Sequence, residues 1–365
     1  MVERPLWFEG IVALLGSVRA CQRDTIAKMI AAVWLAGTVS ITAMARAAAM
    51  AFRQSPRTLQ KAFDRTLSSP SVDPMKLYRE LFLRVVGSQR RVVIAIDWLS
   101  VRKDTMRVLL ASVTDADGRA WPVLAWWVPT SQRKRRQREL ERAMIEHIAA
   151  LKPAHCTVIL LADRGFDGAA FRADVRAAGL HYVIRVRGNL QAFCDGKKYT
   201  ARKLACSRGE GTIRRDGVLL TAKKDAVGAF VSCWDKQSRD PWLLITNLPD
   251  CGDEIVALYK LRFRIEESIR DLKNLRLGLG LEEVRMRDTR RWSVLLAVTL
   301  LSYWVVRRCG RIARARGLAR RFSTSGRRPH AHSTFRLGMF HANASFDILC
   351  EALDLAPAAD WLQAA

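Results

Sequence analysis

Runs of hydrophobic residues divide the chain into a helical first part and a second part that contains strands. Residues 1 to about 85 are rich in Ala, Met, Ile and Leu and poor in Pro, which favours helices. Farther along, Val92 to Ile96 and Val158 to Ala162 are apolar throughout. Continuous apolar runs of this length are typical of strands that are buried on both faces.

From Arg91 to Val186 the predicted elements follow the order β-β-β-α-β-α-β. The predicted strands are Val92–Asp97, Arg107–Thr114, Ala120–Val128, Thr157–Ala162 and Tyr182–Val186, and the predicted helices are Gln132–Leu151 and Asp167–Ala178. Asp115–Gly118 is a predicted turn, and Asp167 is the predicted cap of its helix. Three antiparallel strands followed by βαβ units form a mixed five-stranded sheet with helices on both faces. This α/β order is the ribonuclease H-like arrangement.

Residues 188–250 interrupt this order with six glycines and short alternating segments, which predicts an inserted β-rich subdomain. A predicted helix then runs from about Asp253 to Asn274. We therefore divide the chain into a helical N-terminal domain (1–85), a ribonuclease H-like domain (86–305) and a basic, helical C-terminal region (306–365). Within the last region, the Arg-rich segment Arg311–His332 is a predicted basic linker.

The N-terminal part contains a candidate helix-turn-helix. One predicted helix covers Ser40–Phe52, and Ser55-Pro56 then supplies a capping residue and a proline for a second helix to Leu67. That helix carries Arg57, Lys61 and Arg65 four residues apart, on one face. The pattern suits a DNA-reading helix pair. A helical bundle with a solvated basic face is the alternative.

The charge of the chain indicates a polyanionic partner. Lys and Arg number 61 against 35 Asp and Glu, a formal net charge of +26. Nucleic acid is the first candidate for the partner and an anionic membrane surface is the second. The most apolar segment, Trp292–Val306, is shorter than the about 20 residues of a membrane-spanning helix, so it predicts a buried helix. With no targeting pattern in the sequence, the expected location is the cytoplasm.

The eight cysteines are scattered, and no two form a Cys-x-x-Cys pair. This spacing argues against a zinc site and favours free thiols in a reducing compartment.

Two aspartates stand where apolar strands end: Asp97 follows Ile96, and Asp163 follows Ala162. Neighbouring carboxylates repel each other unless a cation holds them, and Mg²⁺ prefers such hard oxygen ligands. Two Mg²⁺ ions about 4 Å apart can activate the attacking oxygen and stabilise the leaving oxygen on opposite sides of a phosphorus atom. Mn²⁺ is expected to substitute for Mg²⁺. Either aspartate alone is explained as well by a strand end, a cap or an ion pair.

The third acid comes from the predicted helix near Glu266. Tyr259, Arg262, Glu266 and Lys273 match the spacing Tyr-x2-Arg-x3-Glu-x6-Lys. Steps of three, four and seven place them on one face of a helix, where a carboxylate, two cations and a phenol suit a metal and a phosphodiester backbone. An exposed face with an Arg262–Glu266 ion pair is the alternative.

With this motif, the chain resembles the DDE transposases of bacterial insertion sequences, of the insertion-sequence-four type with the Tyr-Arg-Glu-Lys signature. The resemblance covers about residues 90–305. It implies that Asp97, Asp163 and Glu266 bind divalent metal and catalyse DNA cleavage and strand transfer. It also implies that Tyr259, Arg262 and Lys273 contact DNA phosphates, and that the protein works as a homodimer on double-stranded DNA.

The resemblance further implies a base platform. Relatives carry a tryptophan in the inserted subdomain that stacks on a base flipped from the element's end, and Trp242 is the corresponding residue. Packing of Trp242 at a strand edge is the alternative, and Trp234 competes for the same role.

Two other functions stay open. A ribonuclease H-like nuclease or junction resolvase would use the same metal chemistry, but it would cut DNA without joining ends. An inactive, basic DNA-binding protein would bind DNA without cutting it.

Overall fold

A computed structural model describes residues 5–115, 119–276, 278–286, 288–322 and 332–355. Most of the predicted Asp115–Gly118 turn lies outside these residues, and so do residues 323–331 of the predicted basic linker. Before that gap, the linker is helical rather than extended, because α-helix continues to Ala315 and a short 3₁₀ helix covers Leu318–Phe322.

The described chain contains twelve α-helices and twelve strands. The helices are α1 (Leu6–Ala13), α2 (Ala20–Ala36), α3 (Ile41–Phe52), α4 (Pro56–Ser68), α5 (Pro74–Val86), α6 (Arg133–Leu151), α7 (Ala169–Ala177), α8 (Gly252–Lys260), α9 (Arg264–Lys273), α10 (Thr289–Ala315), α11 (Thr334–Ala344) and α12 (Phe346–Ala352). The strands are β1 (Arg91–Val101), β2 (Met106–Thr114), β3 (Ala120–Pro129), β4 (Thr157–Ala162), β5 (His181–Arg185), β6 (Gln191–Cys194), β7 (Lys197–Thr200), β8 (Thr212–Asp216), β9 (Leu219–Leu220), β10 (Asp225–Ala226), β11 (Ala229–Cys233) and β12 (Trp242–Thr246).

The chain forms two compact units. The first takes in the described residues of Met1–Arg84, Ser100–Met106 and Ile269–Ala365, and the second consists of those of Val85–Leu99 and Arg107–Ser268. Helix α10 in the first unit covers residues 305 and 306, where the predicted boundary between the second domain and the C-terminal region falls.

Helix α10 is the core helix of the first unit. By length and composition it could cross a membrane, but 89% of its most apolar 18-residue window is buried within the protein. The predicted buried helix at Trp292–Val306 is therefore confirmed, and it is longer at both ends than its apolar stretch. Asp288 caps it by accepting a hydrogen bond from the Arg291 amide at 2.8 Å.

The predicted helix pair near the N-terminus is present as α3 and α4. The Ser55 hydroxyl accepts a hydrogen bond from the Thr58 amide at 3.1 Å, and Pro56 opens α4 as expected. Three apolar side chains of α4 are buried and three basic ones are exposed: Leu59, Phe63 and Leu67 against Arg57, Lys61 and Arg65. An exposed basic face is compatible with a DNA-reading helix and with a plain helical bundle, so contact of α4 with DNA stays a prediction.

The second unit is built on a mixed sheet of eight strands in the order β3-β2-β1-β4-β5-β12-β11-β8. Its first five strands follow the predicted order, and the sheet with its helices fits a ribonuclease H-like fold. The prediction of five strands is wrong, because β12, β11 and β8 continue the sheet antiparallel beyond β5. Only part of residues 188–250 is separate: β6, β7, β9 and β10 form a second, four-stranded sheet. The free edge of β5 explains the extension, since an unpaired apolar edge would otherwise be exposed.

Two local predictions need correction. Asp167 does not cap α7, whose N-cap is Gly168. The buried Asp167 carboxylate instead accepts a hydrogen bond from Arg187 Nε at 2.8 Å. This ion pair takes the place of the predicted hydrogen bond to the first turn of α7. The helix predicted from Asp253 to Asn274 is also not continuous, since a 3₁₀ turn at Leu261–Phe263 separates α8 from α9.

Candidate active site

The register of the central sheet places Asp97 beside Asp163. Strands β1 and β4 are parallel, and their pairing runs from Arg91 with Thr157 to Ile96 with Ala162. One step farther, the same register sets Asp97 against Asp163, at a strand spacing of about 4.8 Å. Strand β1 continues to Val101, so Asp97 lies where its pairing with β4 ends and not at the end of the strand.

Backbone amides orient both aspartates. The Trp98 amide donates to Asp97 Oδ1 at 2.8 Å, and the Gly165 amide donates to Asp163 Oδ1 at 2.8 Å. A side chain at position 165 would crowd this arrangement, because its Cβ would lie 2.9 Å from Asp163 Oδ1. The local fold therefore fixes where the two carboxylates point before any ligand binds.

Arg262 joins Glu266 to this pair. Its Nη1 lies 3.5 Å from Asp97 Oδ2, and its Nη2 lies 3.0 Å from Glu266 Oε1. The structure thus brings together the three acids named from the sequence. The Arg262–Glu266 ion pair, which the alternative interpretation of the signature expected, is also present. The Glu266 side chain is 52% exposed, but the pair belongs to the acidic site, because the same buried guanidinium also contacts Asp97.

The surroundings of Asp97 raise the pKa of its carboxyl from 3.8 to about 6. Burial is the main cause, and the carboxylates of Asp163 and, less strongly, Glu266 add to it. Arg262 and the Trp98 amide oppose the rise without cancelling it. The positive charge of Arg262 therefore does not offset the burial and the negative charge around Asp97. A hard cation among the acids would favour their charged forms.

This donor set fits a divalent metal in its chemistry. In the part of the chain that the structure describes, however, no three His, Cys, Asp or Glu side chains are close enough to hold one together as they stand. Arg262 lies between two of the three acids, so a shared ion requires its side chain to move.

Because a raised pKa means that folding favours the protonated acid, Asp97 should destabilise the metal-free fold at neutral pH. Without metal, the free energy of unfolding falls as the pH rises from about 4 to about 6. The fall is roughly 3 kcal/mol, at 1.36 kcal/mol per pKa unit. We expect Asp97→Asn to melt at a higher temperature than the wild type at pH 7.5 in EDTA, and at nearly the same temperature at pH 4. A lower melting temperature for Asp97→Asn at pH 7.5 would contradict this assignment.

Tyr259, the first residue of the signature, is buried, with a side chain that packs edge-on against Trp242 at 5.2 Å between ring centroids. Burial raises the pKa of its hydroxyl. A phosphate contact by Tyr259 stays a prediction, and it requires the hydroxyl to become accessible.

Both candidate base platforms already have partners within the protein. Trp242 stacks on Phe263, with centroids 5.7 Å apart and planes 26° apart. The Arg202 guanidinium lies 4.5 Å from the centroid of the Trp234 ring. Stacking of a flipped base on either tryptophan therefore stays a prediction.

Lys273, the last residue of the signature, belongs to the first compact unit. Its Nζ lies 3.7 Å from Glu282 Oε2. Its contact with a DNA phosphate stays a prediction.

Sequence reasoning missed several basic residues around the site. Arg164 follows Asp163 directly, and Arg185 ends β5, where its pKa is lowered by burial and by the charges of Arg164 and Arg262. With Arg202, these two line a cavity of about 470 Å³. The Arg133 guanidinium lies 5.4 Å from the centroid of the Trp98 ring. Arg164 and Arg185 were detectable, since Arg164 follows Asp163 after β4 and Arg185 ends the neighbouring strand β5.

Comparison with known proteins points to a family. Residues 124–305, just under half of the chain, match the family model described as a transposase DDE domain, which supports a DDE transposase. The matched region includes Asp163 and Glu266 and begins after Asp97. A search of curated proteins found no match to the chain.

Proposed function

We propose that this chain is a bacterial insertion-sequence transposase of the Tyr-Arg-Glu-Lys branch. It would cleave the ends of its element and join the freed 3′-hydroxyls to target DNA in the cytoplasm. The observation that carries the proposal is the convergence of Asp97, Asp163 and Glu266 in a chain that matches a transposase DDE domain.

In this proposal the three acids hold Mg²⁺, as two ions, with Mn²⁺ as a substitute. The metal would activate the attacking oxygen and stabilise the leaving oxygen of an in-line displacement at phosphorus. The amides of Trp98 and Gly165 hold Asp97 and Asp163 in place. Arg164 and Arg185 supply positive charge for phosphate oxygens beside the acids. No covalent bond between protein and DNA is needed.

The first turn of α6 supports DNA binding by the same unit. It contains Arg133, Lys134, Arg135 and Arg136 and no acidic residue. Cations at a helix N-terminus oppose the helix dipole, and the Glu139 carboxylate, 2.7 Å from Arg136 Nη2, offsets part of this charge. A DNA phosphate against the cluster would offset more of it. The Arg133 guanidinium contacts the ring of Trp98, the residue that follows Asp97 in β1.

We therefore expect the double variant Lys134→Gln/Arg135→Gln to bind DNA more weakly, whatever the DNA sequence. Losing two phosphate contacts should make the negative slope of log K against log salt shallower by about 2. It should also lower the affinity at about 0.1 M salt by tenfold or more. Both residues are exposed, so folding should not change. Fluorescence anisotropy across a salt series measures the slope.

The matched control is Lys197→Gln/Lys198→Gln, which removes the same charge from exposed positions on β7. It should leave the slope nearly unchanged. Equal effects of the two double variants would mean that net charge alone governs binding, without a contact at α6.

The exposed basic face of α4 is the proposed reader of the element's end, through Arg57, Lys61 and Arg65. Two copies of the chain would then hold two ends as a homodimer. The charge of +26 and the helix pair α3–α4 support the DNA contact.

The test is strand transfer. Wild-type protein, a labelled duplex with the element's end, a supercoiled target plasmid and Mg²⁺ should yield labelled plasmid. A ribonuclease H-like nuclease or resolvase would nick or cut the duplex but never join it to the plasmid. An inactive DNA-binding protein would shift the duplex and leave both DNAs intact in Mg²⁺ and in Mn²⁺.

A further inference from the structure

The guanidinium of Arg262 lies where the acidic site would accept a cation. One amino group faces Asp97 Oδ2 at 3.5 Å and the other faces Glu266 Oε1 at 3.0 Å. The remaining oxygen of Asp97 accepts the Trp98 amide. Both oxygens of Asp97 are therefore engaged within the protein, and one of them is engaged by a positive charge.

The contacts of Arg262 hold its charge at the site without locking the side chain. Its guanidinium lies 4.5 Å from the centroid of the Phe263 ring, a cation–π distance. Its Nε is buried, and it makes no hydrogen bond among the described residues. The guanidinium also lies 5.9 Å from the centroid of the Tyr259 ring. Its charged partners are the two carboxylates, so loss of these partners to a metal would weaken its hold on this position.

The backbone at Arg262 is suited to a change of position. The residue is the middle one of the 3₁₀ turn Leu261–Phe263, which interrupts an otherwise helical segment between α8 and α9. A short 3₁₀ stretch within a helix often marks a functional hinge. Glu266 lies in the first turn of α9, directly after this break.

We propose that Arg262 is an internal counter-ion that occupies the cation position between Asp97 and Glu266 before metal binds. Metal and Arg262 then compete for the same carboxylate oxygens, and metal binding displaces the guanidinium. The released charge becomes available to a DNA phosphate. This inference rests on the proposed function, since it takes the three acids as the metal ligands.

The physical reason for such a device is the mutual repulsion of the acids. Without a cation, Asp97, Asp163 and Glu266 would repel one another in a half-buried site. A guanidinium can pair with two carboxylates at once, because its donors form a planar fork. Arg262 thereby keeps the acids assembled at the cost of a weaker affinity for metal.

The experiment is a titration of the full-length protein with Mn²⁺ in the absence of DNA, with free Mn²⁺ measured by electron paramagnetic resonance. We expect Arg262→Gln to bind Mn²⁺ at least about tenfold more tightly than the wild type, because the competing charge is gone. Arg262→Lys should lie between the two, since an ammonium keeps the charge but cannot bridge both carboxylates. Its Kd also tests the proposal if the glutamine variant does not fold.

Arg185→Gln is the matched control, because it removes the same charge from a half-buried arginine next to Tyr259 and Arg262. General electrostatics should then tighten Mn²⁺ binding by no more than about threefold. A second readout is the rise in melting temperature with Mn²⁺, which should be larger for Arg262→Gln than for the wild type.

Equal or weaker Mn²⁺ binding by Arg262→Gln would overturn the inference, as would equal tightening by Arg262→Gln and Arg185→Gln. The proposed function fails separately. If Asp163→Asn binds Mn²⁺ as tightly as the wild type, the acids are not the metal ligands, and both proposals fall. If Asp163→Asn loses Mn²⁺ and Arg262→Gln gains nothing, only the counter-ion role is lost.

Discussion

Glu266→Gln is expected to lower the rate of DNA-end cleavage by at least about 10³-fold while leaving DNA binding nearly unchanged. Glutamine keeps the size of the side chain and can still accept a hydrogen bond from Arg262. It removes the negative charge that a divalent metal needs. Binding should not weaken, because an acidic residue lost from a DNA-facing site reduces repulsion of phosphate.

The neighbouring residue provides a close control. Glu267 stands on the same turn of α9, but its carboxylate lies 3.3 Å from Arg119 Nη2 and not at the acidic site. Glu267→Gln should therefore cleave within a few-fold of the wild-type rate. Cleavage and binding are measured on the same duplex, by gel and by anisotropy, with Asp97→Asn and Asp163→Asn as parallel variants. A Glu266→Gln protein that cleaves at the wild-type rate would remove Glu266 from the proposed ligands.

Gly338→Ala is expected to lower the free energy of unfolding by at least about 3 kcal/mol, or to prevent folding. Helices α10 and α11 cross with their backbones in contact. A Cβ at Gly338 would lie 1.8 Å from the Val306 carbonyl oxygen, and a Cβ at Gly310 would lie 1.8 Å from the Thr334 carbonyl oxygen. The obstacle is backbone in both cases, so the helices themselves must separate.

Urea unfolding followed by circular dichroism measures this effect. Gly16→Ala is the control in the same compact unit, because its nearest neighbour is Glu80 Oε1 at 3.8 Å and its backbone is unstrained. It should change the free energy of unfolding by less than about 1 kcal/mol. If Gly338→Ala unfolds at the wild-type urea concentration, the described crossing of α10 and α11 is wrong.

The sequence was sufficient to predict the central part of the fold and the aspartates. Runs such as Val158–Ala162 have no polar position before Asp163, so the strand and the carboxylate that follows it are visible together. Once β1 and β4 are parallel neighbours, their register alone sets Asp97 against Asp163. Local pattern and short connections decide these features, and both can be followed along the chain.

Other features depend on contacts that no local pattern encodes. Strands β8, β11 and β12 belong to the main sheet only because β12 pairs with β5, and no local pattern predicts that pairing. Arg262 and Glu266 look the same in sequence whether they form an exposed pair or bridge to Asp97, 165 residues away. The break at Leu261–Phe263 follows no glycine or proline, so no local sequence signal marks it.

The most direct test of the account is the metal dependence of DNA-end cleavage by Asp163→Cys. A thiolate binds Mn²⁺ better than Mg²⁺, because Mg²⁺ strongly prefers oxygen ligands. The quantity compared is the cleavage rate of Asp163→Cys divided by the wild-type rate in the same metal. If Asp163 holds the catalytic metal, this ratio should be close to zero in Mg²⁺ and at least about tenfold higher in Mn²⁺. Equal relative activity of Asp163→Cys in the two metals would contradict a metal site built on Asp163.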